Sequence, residues 1–432
     1  MTGHRHVDVL VIGGGLAGAV AALQARALGA SVLLVRRSPG ATALSGGAIG
    51  VAPDLDALPG DPLRDRRSPL ESARRLAARR PGHPYAVLGV HDLEEALGFA
   101  AAHLSGLMEP PDGRPRFLAH VSGGVGECAL CLRSQAAGDL RRLHGVAAVV
   151  GFSGHLGFDA RLVASAVARL TASGGPGAAV VEAAAFTGAD DGALRPVELA
   201  GALEPPGAAE ALGAAIRAVL PRGATVALVP PVLGLDPAAR VHARVEAAAG
   251  LPVAEVLSDP PSVPGLRIDA ALLARLDGAG VEVLIGEAVP GGGPGRAVRV
   301  GESVIEARSW VLATGRFLGG GLTRSGGLTE PLQGLPVLAS EAGAAGLALA
   351  GRPPLALTVR SRKAAQPLLA AGLAVDEACR ALDETGRPAD ERLFAAGSIL
   401  GGHEHAADGT GLGVAILSGW IAGRGAATAR GR

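Results

Sequence analysis

Gly13, Gly15 and Gly18 stand in Gly-x-Gly-x-x-Gly spacing within VIGGGLAGAV, with Gly14 between the first two. Two such glycines let backbone approach a phosphate, and the third lets a helix pack closely on a strand. A helix starting there adds free N–H groups and a positive dipole end. Sites of this kind usually carry a carboxylate at the end of the second strand, to hold an adenosine ribose. Here VLLV is followed by Arg36 and Arg37, which suit an anionic phosphate better. Arg316, Arg324, Arg360, Arg362 and Lys363 are further candidates for an anionic substrate, against the alternative of a solvated face. His403 and His405, in GGHEHAAD, titrate near working pH and fit a general base, with Glu404 or Asp408 to orient them. The alternative is a pair of structural histidines. Cys128 and Cys131 form a CxxC. With no second pair nearby they supply half the ligands of a zinc or iron–sulfur site, so ordinary thiols and no metal are expected.

These residues need elements to hold them. VDVLVI (7–12) reads as a buried parallel strand, Leu16 to Leu28 as a helix ending at Gly29, and SVLLV as the next strand. That order is the context the glycine motif requires. Residues 146–257 repeat strand, helix and strand twice (VAAVVGF, FDARLVASAVARLTASG, AAVVEAAAF; ATVALVP, DPAARVHARVEAAAG, PVAEVL) and read as an inserted α/β domain. The first fold then resumes with a helix in IDAALLARLDGAG, strand VEVLIGEAV, a hairpin-like stretch and strand SWVLATG. A strand, a glycine-dense loop and a last helix close the chain in ERLFAAGSILGGHEHAADGTGLGVAILSGWIAG. The division is therefore 1–145, the first part of the binding domain; 146–257, the insert; and 258–432, the second part.

Composition narrows the function. In 432 residues, 40 Lys and Arg balance 40 Asp and Glu, so no net charge draws the chain onto nucleic acid or an anionic bilayer. Two Trp, one Tyr and seven Phe give little surface for stacking bases. Three cysteines cannot build a disulfide framework. No apolar stretch is long enough to span a bilayer, and the N-terminus lacks a signal peptide's cleavage region, so a cytoplasmic location is expected.

With the stretches TALSGGAIG, HPYAVL, VVGFSGHLGFDARL, PPSVPGLRI, VLATGRFLGGGL and LFAAGSILGGHEHAADGTGLGVA in this order, the chain resembles flavoproteins of the fumarate-reductase-like superfamily. Within it, the chain is similar to the family of the B-type subunit of anaerobic glycerol-3-phosphate dehydrogenase. PPSVPGLRI and the VVGFSG stretch are the narrower of these signals. The resemblance implies a two-part Rossmann-like FAD/NAD(P)-binding fold with the inserted α/β domain. It implies noncovalent FMN, with FAD as the alternative; FMN has no adenosine ribose, which would account for Arg36. Covalent members attach flavin through a histidine just before a glycine pair, and residues 38–47 contain none.

Implied flavin-binding residues are Gly13, Gly14, Gly15, Gly18 and Arg36, then Ser45, Gly46 and Gly47. Thr314, Gly315 and Gly397 follow, and the loop glycines Gly409, Gly411 and Gly413 would aim N–H groups at the flavin pyrimidine carbonyl. His403 and His405 fall near the flavin, and Arg316, Arg324 and Arg360 are the implied phosphate cations. The implied reaction is oxidation of sn-glycerol 3-phosphate to dihydroxyacetone phosphate with electrons passed to quinone. The implied partners are an FAD-containing dehydrogenase subunit and an iron–sulfur subunit that would hold the complex at the inner membrane face. The alternatives are a stand-alone FAD-dependent fumarate-reductase-like oxidoreductase and a non-catalytic electron-relay or assembly subunit.

Overall fold

A computed structural model describes residues 3–54, 66–155, 157–171, 177–183, 194–291, 297–324, 327–339, 347–348, 354–359 and 366–429. Strand β1 (His4–Ile12), helix α1 (Leu16–Ala27) and strand β2 (Val32–Arg36) open the chain. An antiparallel pair follows, β3 (Arg116–Ala119) and β4 (Val125–Cys128). Next come β5 (Val146–Phe152), β6 (Gly177–Ala183), β7 (Ala224–Val229) and β8 (Val253–Glu255). Helix α2 (Val263–Gly278) leads into β9 (Glu282–Ile285), β10 (Ala288–Pro290), β11 (Ala297–Val300) and β12 (Ser303–Leu312). Strand β13 (Leu393–Ala395) and helix α3 (Gly411–Thr428) complete the scaffold.

The main sheet has seven strands in the order β10-β11-β12-β1-β2-β9, with β13 also on β12. Its centre is parallel: Val9 pairs with both Val32 and Ser309, and Val35 pairs with Leu284. Val9, Leu10, Val11, Leu33 and Leu34 are essentially inaccessible, as expected of strands covered on both faces. The hairpin-like stretch is an antiparallel β11–β12 pair through Ser303–Glu306, while β13 pairs in parallel with Trp310–Leu312. A second, four-stranded parallel sheet has the order β6-β5-β7-β8. One face buries Leu212, Ile216 and Val245, and the other buries Phe117, Leu140 and Val163. The architecture is the two-part Rossmann-like fold with an inserted α/β unit.

Two glycines bring the last helix onto the first. A Cβ at Gly419 would lie 2.4 Å from the Ala17 carbonyl oxygen, and one at Gly423 would lie 2.4 Å from that of Ala21. Only bare backbone allows α1 and α3 so close. Among the described residues, no helix is long and apolar enough to cross a membrane.

Candidate cofactor site

Strand β1 ends at Gly13, whose N–H donates to the Val35 carbonyl at 2.8 Å. Gly13 has φ +117°, and its missing Cβ would collide with the Ala313 carbonyl at 2.0 Å. A Cβ at Gly18 would lie 1.9 Å from the Gly13 carbonyl. Those two glycines serve packing. Gly15 differs: a Cβ there would touch only the Thr42 hydroxyl, at 3.5 Å, and Gly15 lines a cavity. Thr42 also accepts from the Leu16 N–H at 2.9 Å, capping α1 from 26 residues away.

The cavity, of about 860 Å³, lies across the carboxyl ends of four neighbouring strands: Ala313 and Thr314 after β12, Ile12–Gly15 at β1, Val35–Ser38 at β2, and Gly286 and Glu287 beyond β9, with Ala288–Pro290 of β10 lining it as well. At about 4.8 Å per strand this row spans about 14 Å. Ser45, Gly315, Gly397, Ser398, His405, Gly409 and Gly411 line it as well. Gly411 opens α3, so two helix N-termini, those of α1 and α3, meet the cavity with their positive ends. Gly411 and Gly413 thus belong to the first turn of that helix rather than to a loop before it. Gly413 does not line the cavity; a Cβ there would lie 2.3 Å from the Tyr85 hydroxyl.

The segment after β2 is held from beneath by α2. Ser262 caps that helix, accepting from the Gly265 N–H at 3.0 Å, and donates to the Ser45 carbonyl at 2.5 Å. A Cβ at Gly265 would strike the Ala43 carbonyl at 2.5 Å. Gly46 packs on the Ser258 backbone, and Gly47 on Pro264, Gln135 and Leu132, so both shape the segment without lining the cavity. Gln135 Nε2 donates to the Gly46 carbonyl at 2.9 Å.

Arg36 is not available to a phosphate in the way expected. Its Nη2 donates to both carboxylate oxygens of Asp269 on α2, each at 3.0 Å, and only 4% of the side chain is exposed. Gly14 lies on it, since a Cβ there would be 2.8 Å from Arg36 Cβ and Cδ. Its neighbour Arg37 is half-exposed and pairs with Glu287 at 3.4 Å. Both arginines and Glu287 line the cavity.

Arg316 also lines it, 5% exposed. Its Nη1 donates to the Leu369 carbonyl, and its Nη2 donates to the Leu400 and His403 carbonyls at 2.8 Å each. Burial, partly offset by Asp408 and Glu404, lowers its pKa to about 10. His405 Nδ1 is 3.4 Å from Arg316 Nη1. Burial first, and then the Arg316 charge, lower the His405 pKa. His403 lies fully buried off the cavity, its ring 5.7 Å from His83, and burial holds it far below the usual imidazole range. Asp408 accepts from Arg80 at 2.6 Å and from the Glu404 N–H at 2.8 Å. The Glu404 carboxylate accepts from the Gln366 N–H at 3.1 Å. Arg324 packs over Phe317 and does not line the cavity. Arg360, Arg362 and Lys363 lie outside the described residues.

Cys128, Cys131 and Cys379 are buried free thiols. Burial pushes Cys131 up to about 12 and raises the others too. Among the described residues, no group of three or more His, Cys, Asp or Glu is placed to hold a metal ion.

Three buried polar atoms of cavity-lining residues, Arg36 Nη1, Thr314 Oγ1 and Arg316 Nε, have no partner among the described residues. A glycine turn open to the cavity, two helix N-termini and unpartnered polar atoms fit an elongated phosphate-bearing cofactor. Thr42, Asp269 and Glu287 are the residues sequence reasoning missed. Only Glu287 had a visible signal, as an acid just after a strand in VLIGEAV.

A parallel sheet with this cavity at its carboxyl edge is the arrangement of a dinucleotide-binding fold, and the chain belongs to the FAD binding domain family, whose model matches residues 8–414. It is 29% identical to the probable B-type subunit of anaerobic glycerol-3-phosphate dehydrogenase of Halobacterium salinarum, over 98% of this chain and 98% of that protein. It is 28% identical to the B-type subunit of that enzyme from Yersinia enterocolitica, over 95% of this chain and 96% of the relative. A solved 3-ketosteroid delta1-dehydrogenase from Sterolibacterium denitrificans covers 99% of this chain and 100% of its own, at 13% identity and a TM-score of 0.43. The family match is to FAD and lends no support to FMN, the cofactor expected from Arg36.

Proposed function

We propose that the chain binds FAD noncovalently and is a flavoprotein subunit of a glycerol-3-phosphate dehydrogenase that passes electrons toward quinone. The observation that carries the cofactor part is the extent of the cavity. It continues past the end of β2 to Gly286 and Glu287 after β9, space that FMN would leave empty. The substrate rests on full-length similarity to proteins named as the B-type subunit of that enzyme.

Bound flavin would supply a hydride acceptor. The N–H group at Gly15 would meet the phosphates, and those at Gly411 and Leu412 would meet the flavin end. His405, on the cavity and kept neutral at pH 7 by its surroundings, is assigned as base for the substrate hydroxyl, with His403 as structural support. Arg316, with its Nε–H without an acceptor among the described residues, is assigned to the substrate phosphate. Acid extraction and chromatography should release stoichiometric FAD and leave a colourless polypeptide. Stoichiometric FMN, or colour retained by the precipitate, overturns the cofactor assignment.

A second reading, a relay subunit without substrate chemistry, is favoured by one observation. The Nη2 group of Arg36 and both Nη groups of Arg316 are already committed to protein acceptors. Anaerobic bleaching of this chain's flavin by glycerol 3-phosphate separates the two, because a relay subunit alone would not bleach.

A further inference from the structure

Resting on the FAD reading above and deepening it, we propose that Glu287 supplies the ribose-holding carboxylate missing from the end of β2. The usual position is occupied by Arg36, which is buried under Gly14 and engaged with Asp269. A guanidinium in any case only donates, whereas ribose hydroxyls on a dinucleotide cofactor are usually held by an acceptor. The neighbouring strand offers one. Arg36 stands opposite Ile285 in the β2–β9 register, and Glu287 lies two residues farther, beyond the carboxyl edge of the sheet. Its side chain is 67% exposed and lines the cavity, with one carboxylate oxygen, Oε2, outside the contact with Arg37.

Arg37 explains why the acid sits there. Its Nη1 is 3.4 Å from Glu287 Oε1, and its guanidinium comes within 3.6–3.8 Å of the position a Gly320 Cβ would take. Gly320 belongs to the turn after β12, on the opposite wall. Arg37 therefore reaches across the end of β1, where the glycine turn receives phosphate. A carboxylate on its outer flank then meets the next group along the cofactor, the adenosine ribose. FMN ends at its phosphate and has no group for Glu287.

The test is titration of flavin-depleted protein with FAD and, separately, with FMN, followed by quenching of flavin fluorescence. Glu287→Gln should weaken FAD roughly tenfold or more and leave FMN within about twofold; the residue is exposed, so folding is not at stake. Unchanged FAD affinity overturns the proposal while the FAD reading stands. Equal weakening of both flavins also overturns it, since that marks a distorted cavity. Arg37→Ala, combined with Glu287→Gln, should lose more FAD affinity than Arg37→Ala alone. No added loss would mean that Glu287 acts only through Arg37, which overturns the direct contact. Wild-type protein binding FMN at least as tightly as FAD would overturn both this proposal and the cofactor reading beneath it.

Discussion

At Gly15 an added Cβ would rest 3.5 Å from the Thr42 hydroxyl, whereas at Gly18 it would lie 1.9 Å from the Gly13 carbonyl. One site has room until a ligand arrives, and the other has none. Gly15→Ala should therefore fold normally and lose FAD, at least tenfold in affinity. Gly18→Ala should lose stability, by about 3 kcal/mol, the upper end for overpacking. Thermal melts and flavin occupancy of both variants check this; a Gly15→Ala protein with full flavin would remove residues 13–15 from the phosphate site. His405, the proposed base, makes a pH prediction in the assembled enzyme. Burial and Arg316 lower its pKa below the ordinary value of about 6.5. A base must be unprotonated, so kcat/KM should hold steady from neutral pH down through that value and fall only at lower pH. His405→Gln should abolish that acid limb along with most activity. A limb that survives the substitution places the base elsewhere.

Helix α2 is the strut that ties the two sheets to the cofactor segment, and it accounts for PPSVPGLRI at the level of atoms. Ser262 holds Ser45, Gly265 admits Ala43, Arg267 meets the last strand of the insert, and Asp269 meets Arg36. Glu255 and Arg267 are both buried and doubly bonded, at 2.8 and 3.0 Å, with Ser134 Oγ and the Leu233 N–H completing the carboxylate's partners. Burial alone would raise the Glu255 pKa, but the Arg267 charge and these donors outweigh it and leave it lowered. Its stabilising contribution is thus present above the unfolded value of about 4.3 and is lost as pH falls through the lower folded value. Glu255→Gln should cost about 3–5 kcal/mol by leaving a buried guanidinium without its counter-charge. Urea denaturation of that variant and of Glu255→Leu/Arg267→Met checks it, the double variant recovering most of the loss. Much of the parallel scaffold was legible in sequence because strand hydrophobicity and glycine spacing are local properties. Arg36 was not, because its partner Asp269 lies 233 residues away and has no local mark. The same holds for the Gly46–Gly47 pair, whose tight contacts come from Pro264 and Ser258 across the fold. The division at 146 and 257 remains our proposal for the insert, whose second face takes Phe117 and Leu140 from earlier in the chain.

For the whole molecule, the proposed function raises the question of where electrons from a reduced flavin would go. A membrane quinone needs a path out of the protein, and iron–sulfur clusters commonly provide one through four cysteine ligands each. This chain has three cysteines, and all are buried thiols. Cys128 and Cys131 pack with Leu118 and Leu257 in a small apolar cluster, while Cys379 contacts the Ser418 carbonyl at 3.5 Å from the other side of the fold. They cannot converge on one cluster without unfolding both cores. The chain alone should therefore bind FAD yet reduce a quinone analogue with glycerol 3-phosphate slowly, at a few per cent or less of the assembled rate. Adding a second flavoprotein subunit and an iron–sulfur subunit should restore that activity. The rate of glycerol-3-phosphate-dependent quinone reduction, measured with the chain alone and with both partners, decides it. Full turnover by the chain alone would mean that it reaches its acceptor directly, and the proposed division of labour between subunits would fall.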